Sequence, residues 1–344
     1  MRLLLLGPIN SPHVEHLALA MRERGHEVAV AGETAAALGP SGLAEAGIPT
    51  TEIRGRNLLA VRRAVRGARP DVVHAHWLPG AAFMAALVRA RPLISMAWGS
   101  DVYASDRRRR LQSRYALRHS DVAMADSRDL LDRMVDLGAA PERTFLMRWG
   151  VDLDMFSPAP DRAASKRDLG LPGDAPVVVS ARGLAPVYNP EVVLDAFGRL
   201  RERVPDALLL LKTPGEPPGD LPPGVRAVGG VPYEQLPAYF RAADVCISIP
   251  RSDSSPRSVW EAMACGCPCV LSDLPWTREL IEDGRHALLT ATEPDAVAAS
   301  LERAVTDSEL ATRLSDEGRA LVERHHDRDA EMRRLSDLYA SLAQ

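Results

Sequence analysis

The sequence predicts an α/β chain of two doubly wound parallel-sheet domains. Three observations carry this. Short apolar runs of strand length recur along the chain, each followed by a glycine or polar loop, with helical stretches between them. A Pro-rich break, Phe156-Ser-Pro-Ala-Pro160, interrupts the series near its middle. Beyond it, residues 252–272 join a polar loop, a short helix and an apolar strand. Alternating β and α units of this kind build a mostly parallel sheet with helices on both faces.

The first strand, Arg2–Leu6, is apolar throughout after Arg2, as a strand buried on both faces should be. The loop Gly7-Pro-Ile-Asn-Ser-Pro-His13 leads to a helix with apolar residues at Val14, Leu17, Ala18 and Met21. Gly25-His26 ends that helix, and Glu27–Ala31 completes a βαβ unit. Further strands are expected at Asp71–His76, Pro92–Ala97, Val122–Ala125 and Phe145–Arg148. The second series is expected at Val177–Ser180, Leu208–Lys212, Val225–Val228, Val245–Ile249 and Pro268–Leu271. Lys212–Gly224 is rich in Pro and Gly and reads as a surface loop. Asp327–Leu342 reads as a terminal helix. The expected divisions are 1–155, 156–326 and 327–344.

Composition bounds the function. A chain of 344 residues suits two domains, and 46% hydrophobic with 26% charged residues is ordinary for a soluble globular protein. A net charge of -4 argues against nucleic acid as partner. Residues 1–150 hold 21 Arg against 15 acidic residues; the remainder holds 21 basic against 31 acidic. The basic half suits an anionic acceptor or a weak membrane-surface contact, and a solvated Arg-rich surface explains it equally. Cys246, Cys265, Cys267 and Cys269 read as small buried residues, with no metal and no disulfide expected. A cytoplasmic location, peripheral to the membrane at most, follows. No stretch reaches membrane-spanning length, and the apolar start is too short for a signal peptide.

The most informative residues are 252–272. Pro256 suits the first turn of a helix and Gly266 its end. Free amides at such a start attract phosphate. Asp253 precedes that start and Glu261 lies inside the helix. Carboxylates accept hydrogen bonds from sugar and ribose hydroxyls. A sugar nucleotide could be held between them.

Asp253, seven intervening residues, Glu261 and Ala262-Met-Ala-Cys-Gly-Cys-Pro268 resemble the donor-site signature of glycosyltransferase family 4. The resemblance implies a GT-B fold, with two Rossmann-like domains facing across a cleft and a last helix that crosses back to the first domain. It implies an N-terminal acceptor domain and a C-terminal donor domain. The implied chemistry is retaining transfer from a nucleotide-diphosphate sugar to a hydroxyl acceptor, without metal or other cofactor. Arg182, Asp253 and Glu261 take the catalytic positions by this resemblance. Ser254, Ser255 and Pro256 sit at the diphosphate, and Val231 at the base with Tyr233 as its neighbour. Ser180-Ala-Arg182 resembles the segment that gives an Arg and a Lys to the diphosphate, but Val187, Tyr188 and Asn189 stand where the Lys belongs. Lys212 or Arg257 would then supply the second cation. In the first half, Asp71-Val-Val-His-Ala-His-Trp77 and Ser95-Met-Ala-Trp-Gly-Ser-Asp101 resemble segments that approach the cleft, with Trp98 where the family usually has His. Gly7, Asn10, Ser11, His13, His76, Trp98 and Asp101 are the expected acceptor-side residues; the amides of the first loop could equally meet phosphate, and Asp101 either touches the acceptor or orients its loop. A nucleotide-sugar-binding protein without transfer and a nucleotide-sugar epimerase are the alternative readings. The first loop is not Gly-x-Gly-x-x-Gly, which disfavours a dinucleotide enzyme.

Overall fold

The apolar runs pair with one another in parallel, and the pairing builds two sheets. The structure is a computed structural model that describes residues 1–36, 39, 41–103, 106–213 and 219–344. Part of the Pro/Gly-rich loop, residues 214–218, lies outside the described residues. One unit comprises residues 1–148 with 330–344, and the other residues 149–329.

The first unit holds β1 (Arg2–Leu6), β2 (Glu27–Gly32), β3 (Thr50–Glu52), β4 (Val72–His76), β5 (Leu93–Met96), β6 (Val122–Ala125) and β7 (Thr144–Leu146). Their spatial order is β3-β2-β1-β4-β5-β6-β7. The second holds β8 (Val177–Ser180), β9 (Leu208–Thr213), β10 (Val225–Gly229), β11 (Val245–Ser248), β12 (Cys269–Ser272) and β13 (Leu288–Thr290), in the order β10-β9-β8-β11-β12-β13. The order reverses between β1 and β4, and again between β8 and β11. Loops at such a switch point leave in opposite directions and open a crevice beyond the strand ends.

Two strands escaped the sequence analysis. β3 and β13 are edge strands of three residues each, and every residue of β3 is exposed. Neither is long enough to show a period.

Side chains alternate across the second sheet. Val179, Leu210, Cys246, Cys269 and Leu271 join Phe240 and Trp260 in one core. Val178, Leu209, Ile247 and Val270 join Phe197 and Leu301 in the other. All four cysteines are buried thiols in the first of these cores.

The unit boundaries differ from the expected 155 and 326, for a reason in the backbone. Val151 N donates to His326 O at 2.7 Å, and Arg328 N donates to Val151 O at 3.1 Å. This bridge ties both crossing segments into the second unit. Arg148 N donates to Glu331 Oε2 at 3.1 Å, which ties the flanking residues into the first. The terminal helix Arg328–Leu342 buries Met332, Leu335 and Tyr339. Among the described residues no helix is long and apolar enough to cross a membrane.

Candidate functional sites in the two units

β8 and β11 flank the switch point of the second sheet, so the loops after them deliver Arg182 and Asp253 to one place. Arg182 Nη2 donates to Asp253 Oδ2, and Arg182 Nη1 donates to Ser258 Oγ at 3.3 Å. The guanidinium lies 4.4 Å above the Tyr188 ring, a cation–π arrangement. The Arg182 and Asp253 side chains are only 14% and 17% exposed. Burial pushes the Asp253 carboxyl above its ordinary value, while Arg182 and the Ser254 amide pull it back. Ser254 N donates to Asp253 Oδ1 at 3.0 Å. Ser255 Oγ accepts from Trp260 Nε1 at 2.9 Å, which fixes the loop against the helix. Pro256 is the N-cap of the helix Arg257–Ala264, and no side chain caps that end. Val259 N donates to Pro256 O at 3.1 Å, and the Arg257 and Ser258 amides of the first turn have no side-chain cap and can meet an anion.

Glu261 sits on the covered side of the same helix, 3% exposed. Tyr233 Oη donates to its Oε1 at 2.8 Å, and Arg257 Nη2 lies 3.4 Å from the same oxygen. Arg257 Nη2 also donates to Tyr233 Oη at 2.6 Å. Burial, then the Glu261 charge, pushes the Tyr233 phenol upward. A carboxylate has about four lone-pair sites, so these bonds leave Glu261 with accepting capacity. Lys212 is the penultimate residue of β9, where burial pushes its ammonium down and the Glu261 charge opposes that shift. Lys212 and Val231 line a small cavity with Val179, Leu210 and Tyr239. Asn189 turns inward. Its Nδ2 donates to Ile249 O at 3.0 Å, and its Oδ1 accepts from Arg251 Nε at 2.5 Å. A donor contact through this amide would cost those bonds.

The first unit gathers its residues at the β1/β4 switch point. Gly7 follows β1, and a Cβ there would meet His76 Cβ at 3.1 Å. The rings of His13 and His76 stand 5.4 and 5.8 Å from Trp98. His74 stacks on His76 at 4.4 Å and is hydrogen-bonded through Nδ1 to Tyr339 Oη at 2.6 Å. Burial holds His74 down to about 3. Burial, with His74 and His13 nearby, holds His76 well below the ordinary histidine value. Ser11 is the N-cap of the helix Pro12–Glu23 but makes no side-chain cap bond.

Two expected acceptor residues serve as clamps. Asn10 Nδ2 donates to Ala35 O and Gly39 O, both at 2.9 Å, and Asn10 Oδ1 accepts from Ala35 N at 2.8 Å. Asp101 is 1% exposed and accepts from Leu78 N and Trp98 N, both at 2.9 Å. Its role is to hold the Trp98 loop to the segment after β4, and burial pushes its carboxyl upward despite these bonds.

Sequence reasoning missed Ser258 as a partner of Arg182, and it gave Trp77, the last residue of the segment after Asp71, no role in the first site. No spacing marks either. The pairing of Arg257 with Glu261 had a signal, since residues four apart share a helix face. Among the described residues no three His, Cys, Asp or Glu side chains converge as a metal cage.

Residues 11–155 match the family model described as Glycosyltransferase Family 4, and residues 175–307 the one described as Glycosyl transferases group 1. A D-inositol 3-phosphate glycosyltransferase of Geodermatophilus obscurus is 28% identical over 271 residues, 68% of this chain and 59% of that protein. The chain thus spans about three fifths of that relative's length. A protein of the same name from Corynebacterium efficiens is 29% identical over 80% of this chain and 72% of its own. Among solved structures, Anabaena HepE in complex with UDP and glucose superposes with a TM-score of 0.83 at 19% identity, covering 99% of this chain and 100% of that one. The two parallel-sheet units and this likeness give the GT-B fold. The chain belongs to glycosyltransferase family 4.

Proposed function

We propose that the chain is a retaining, metal-independent glycosyltransferase. It moves a sugar from a nucleotide-diphosphate sugar to an acceptor hydroxyl, with the donor held by the second unit and the acceptor by the first. The observation that carries this reading is the Arg182–Asp253 pair at the β8/β11 switch point, beside a helix start that no side chain caps. The relatives named for inositol phosphate glycosylation, and a neighbour crystallised with UDP and glucose, support the same class.

In this reading Glu261 accepts from the ribose hydroxyls and Asp253 from the sugar hydroxyls. Val231 meets the base. Arg182 and the Ser255 amide at the Pro256 turn face the diphosphate, and the Ser254 amide joins them by giving up its bond to Asp253 Oδ1. The acceptor oxygen bonds to the anomeric carbon as the bond from that carbon to the diphosphate breaks. The acceptor proton passes to a diphosphate oxygen on the same face, which keeps the anomeric configuration. Charge grows on the departing diphosphate, and fixed donors aimed there stabilise the transition state. Arg257, and Lys212 near the end of β9, contribute further positive charge. Tyr188 contributes by holding the Arg182 guanidinium flat against its ring. We place the protein in the cytoplasm, with the exposed arginines of the helix Arg107–Arg118 making a weak, salt-sensitive contact with anionic lipid.

The test is a thermal-shift screen against nucleoside diphosphates and their sugars, with and without EDTA. The expected result is a base-selective rise in Tm that EDTA leaves unchanged. Glu261→Gln should weaken nucleotide binding at least tenfold, since a hydrogen bond to a charged group contributes about 1.5–3 kcal/mol. Unchanged affinity in that variant would remove Glu261 from the site. Selective binding without transfer to any acceptor would replace the enzyme with a nucleotide-sugar-binding protein.

A further inference from the structure

The first unit contains a cavity of about 430 Å³ that two of the expected acceptor-side residues, Gly7 and His76, help to line. It opens beyond the ends of β1, β2 and β4, at the switch point. Its walls are Leu6, Ile53, Val61, Trp77, Ala81 and Met84, with Gly7 and His76 beside them. Its volume falls in the range of small-molecule pockets, which are mostly apolar with a few placed polar groups.

Two features show that the space is built rather than incidental. Trp77 has φ +78°, a left-handed backbone that a bulky residue rarely adopts, and it opens a π-helical turn, Trp77–Ala82. Strain of this kind persists only where the surroundings enforce it. A Cβ on Gly80 would lie 2.8 Å from Trp77 Cδ1, so the absent side chain is what lets the indole lie there.

The polar groups are few, and two of them also bond within the protein. Glu33 Oε1 accepts from Gly55 N at 3.2 Å. Arg56 Nη2 donates to Pro79 O at 3.1 Å and to Gln112 Oε1 at 3.2 Å. Both are exposed residues at the mouth. A phosphorylated polyol would bring a dianion to a mainly apolar wall whose one arginine, Arg56, is exposed and already shares its Nη2 with Pro79 O and Gln112 Oε1. Burying such a charge is costly without a partner. A compact apolar ring system matches the wall chemistry.

We propose that this cavity binds the apolar ring system of a hydroxylated small-molecule acceptor, and that this sets the chain apart from relatives named for D-inositol 3-phosphate. The identity of that ligand as acceptor rests on the reading of the first unit as the acceptor unit; its binding does not.

The test uses the full chain and 2-naphthol as probe, with binding followed by calorimetry. 1D-myo-Inositol 3-phosphate and 1-decanol are the competing probes. Saturable 2-naphthol binding that neither competitor displaces is expected. Ala81→Phe and Val61→Phe each put a ring into the cavity and should weaken 2-naphthol at least tenfold. The nucleotide-induced Tm shift serves as their folding control and should stay as in the parent chain. No saturable 2-naphthol binding by folded protein, or binding untouched in both variants, would overturn the assignment. Displacement by 1D-myo-inositol 3-phosphate would return the site to the relatives' chemistry, and displacement by 1-decanol would make it an acyl-chain groove; either overturns it. Naphthol binding without any nucleotide shift would support the cavity and sink the donor reading, so the two proposals fail separately.

Discussion

Asp101 and Gly32 show what single residues contribute. Asp101→Ala leaves the Leu78 and Trp98 amides without their acceptor. Each orphaned buried donor costs about 1–3 kcal/mol, so we expect a loss of about 2–4 kcal/mol in urea denaturation, with nucleotide affinity in the second unit unchanged. Gly32 is tighter still. A Cβ there would sit 1.8 Å from Gly7 O, a backbone atom that cannot swing away. Gly32→Ala should cost about 3 kcal/mol or prevent folding, visible in soluble yield and circular dichroism. At this scale the sequence was legible where chemistry is local. Asp253, Ser254, Ser255, Pro256 and Glu261 share one short segment, and their grouping follows from it. Asn10, Asp101 and Asn189 read as ligand groups because they are polar residues at strand ends. Their actual partners lie at Ala35 and Gly39, Leu78, and Ile249 and Arg251, separations that no motif encodes.

Strand β4 carries the clearest pH consequence. Alternation alone places His74 and His76 on one face. The structure buries both, stacks them, and packs His13, Trp98 and Tyr339 around them. Both folded-state values are depressed, with His74 at about 3 against an ordinary 6.5. The unfolded chain therefore binds more protons as pH falls below about 6.5, and stability falls with it. The stability is fully present above that value and is lost progressively toward the folded-state values. The slope approaches about 1.4 kcal/mol per pH unit for each histidine. Urea midpoints measured from pH 7.5 to 4.5 should fall accordingly. His74→Phe should be less stable at pH 7.5 through loss of the Tyr339 bond, yet show roughly half the slope. An unchanged slope would mean that these histidines do not govern the acid response.

The units of the whole molecule answer to different parts of the chain. Residues 330–344 belong to the first unit, where Met332, Leu335 and Tyr339 are buried. Deleting them opens a hole beside His74. Loss of a large buried side chain costs about 2–5 kcal/mol, and three are removed at once. We expect hydrogen exchange to show the first unit opened. Residues 149–329 should stay protected and still respond to nucleotide. Loss of protection in both units together would show that the second does not fold independently of this helix.

Fold class was available from the sequence because strand-length apolar runs and their loops are local properties, and parallel pairing follows from their alternation with helices. The chemistry of the second unit was available because its residues lie in consecutive turns of one segment. Tertiary structure alone decided which polar residues are held inside the protein, where the chain passes from one unit to the other, and that a cavity lies behind Trp77. Each of these depends on contacts between residues far apart in the chain. The Val151 bridge to His326 and Arg328, the Tyr339 bond to His74 and the Gly80 gap under Trp77 exist only after the sheets have formed. A side chain's type limits what it can bind, and packing decides what it does bind.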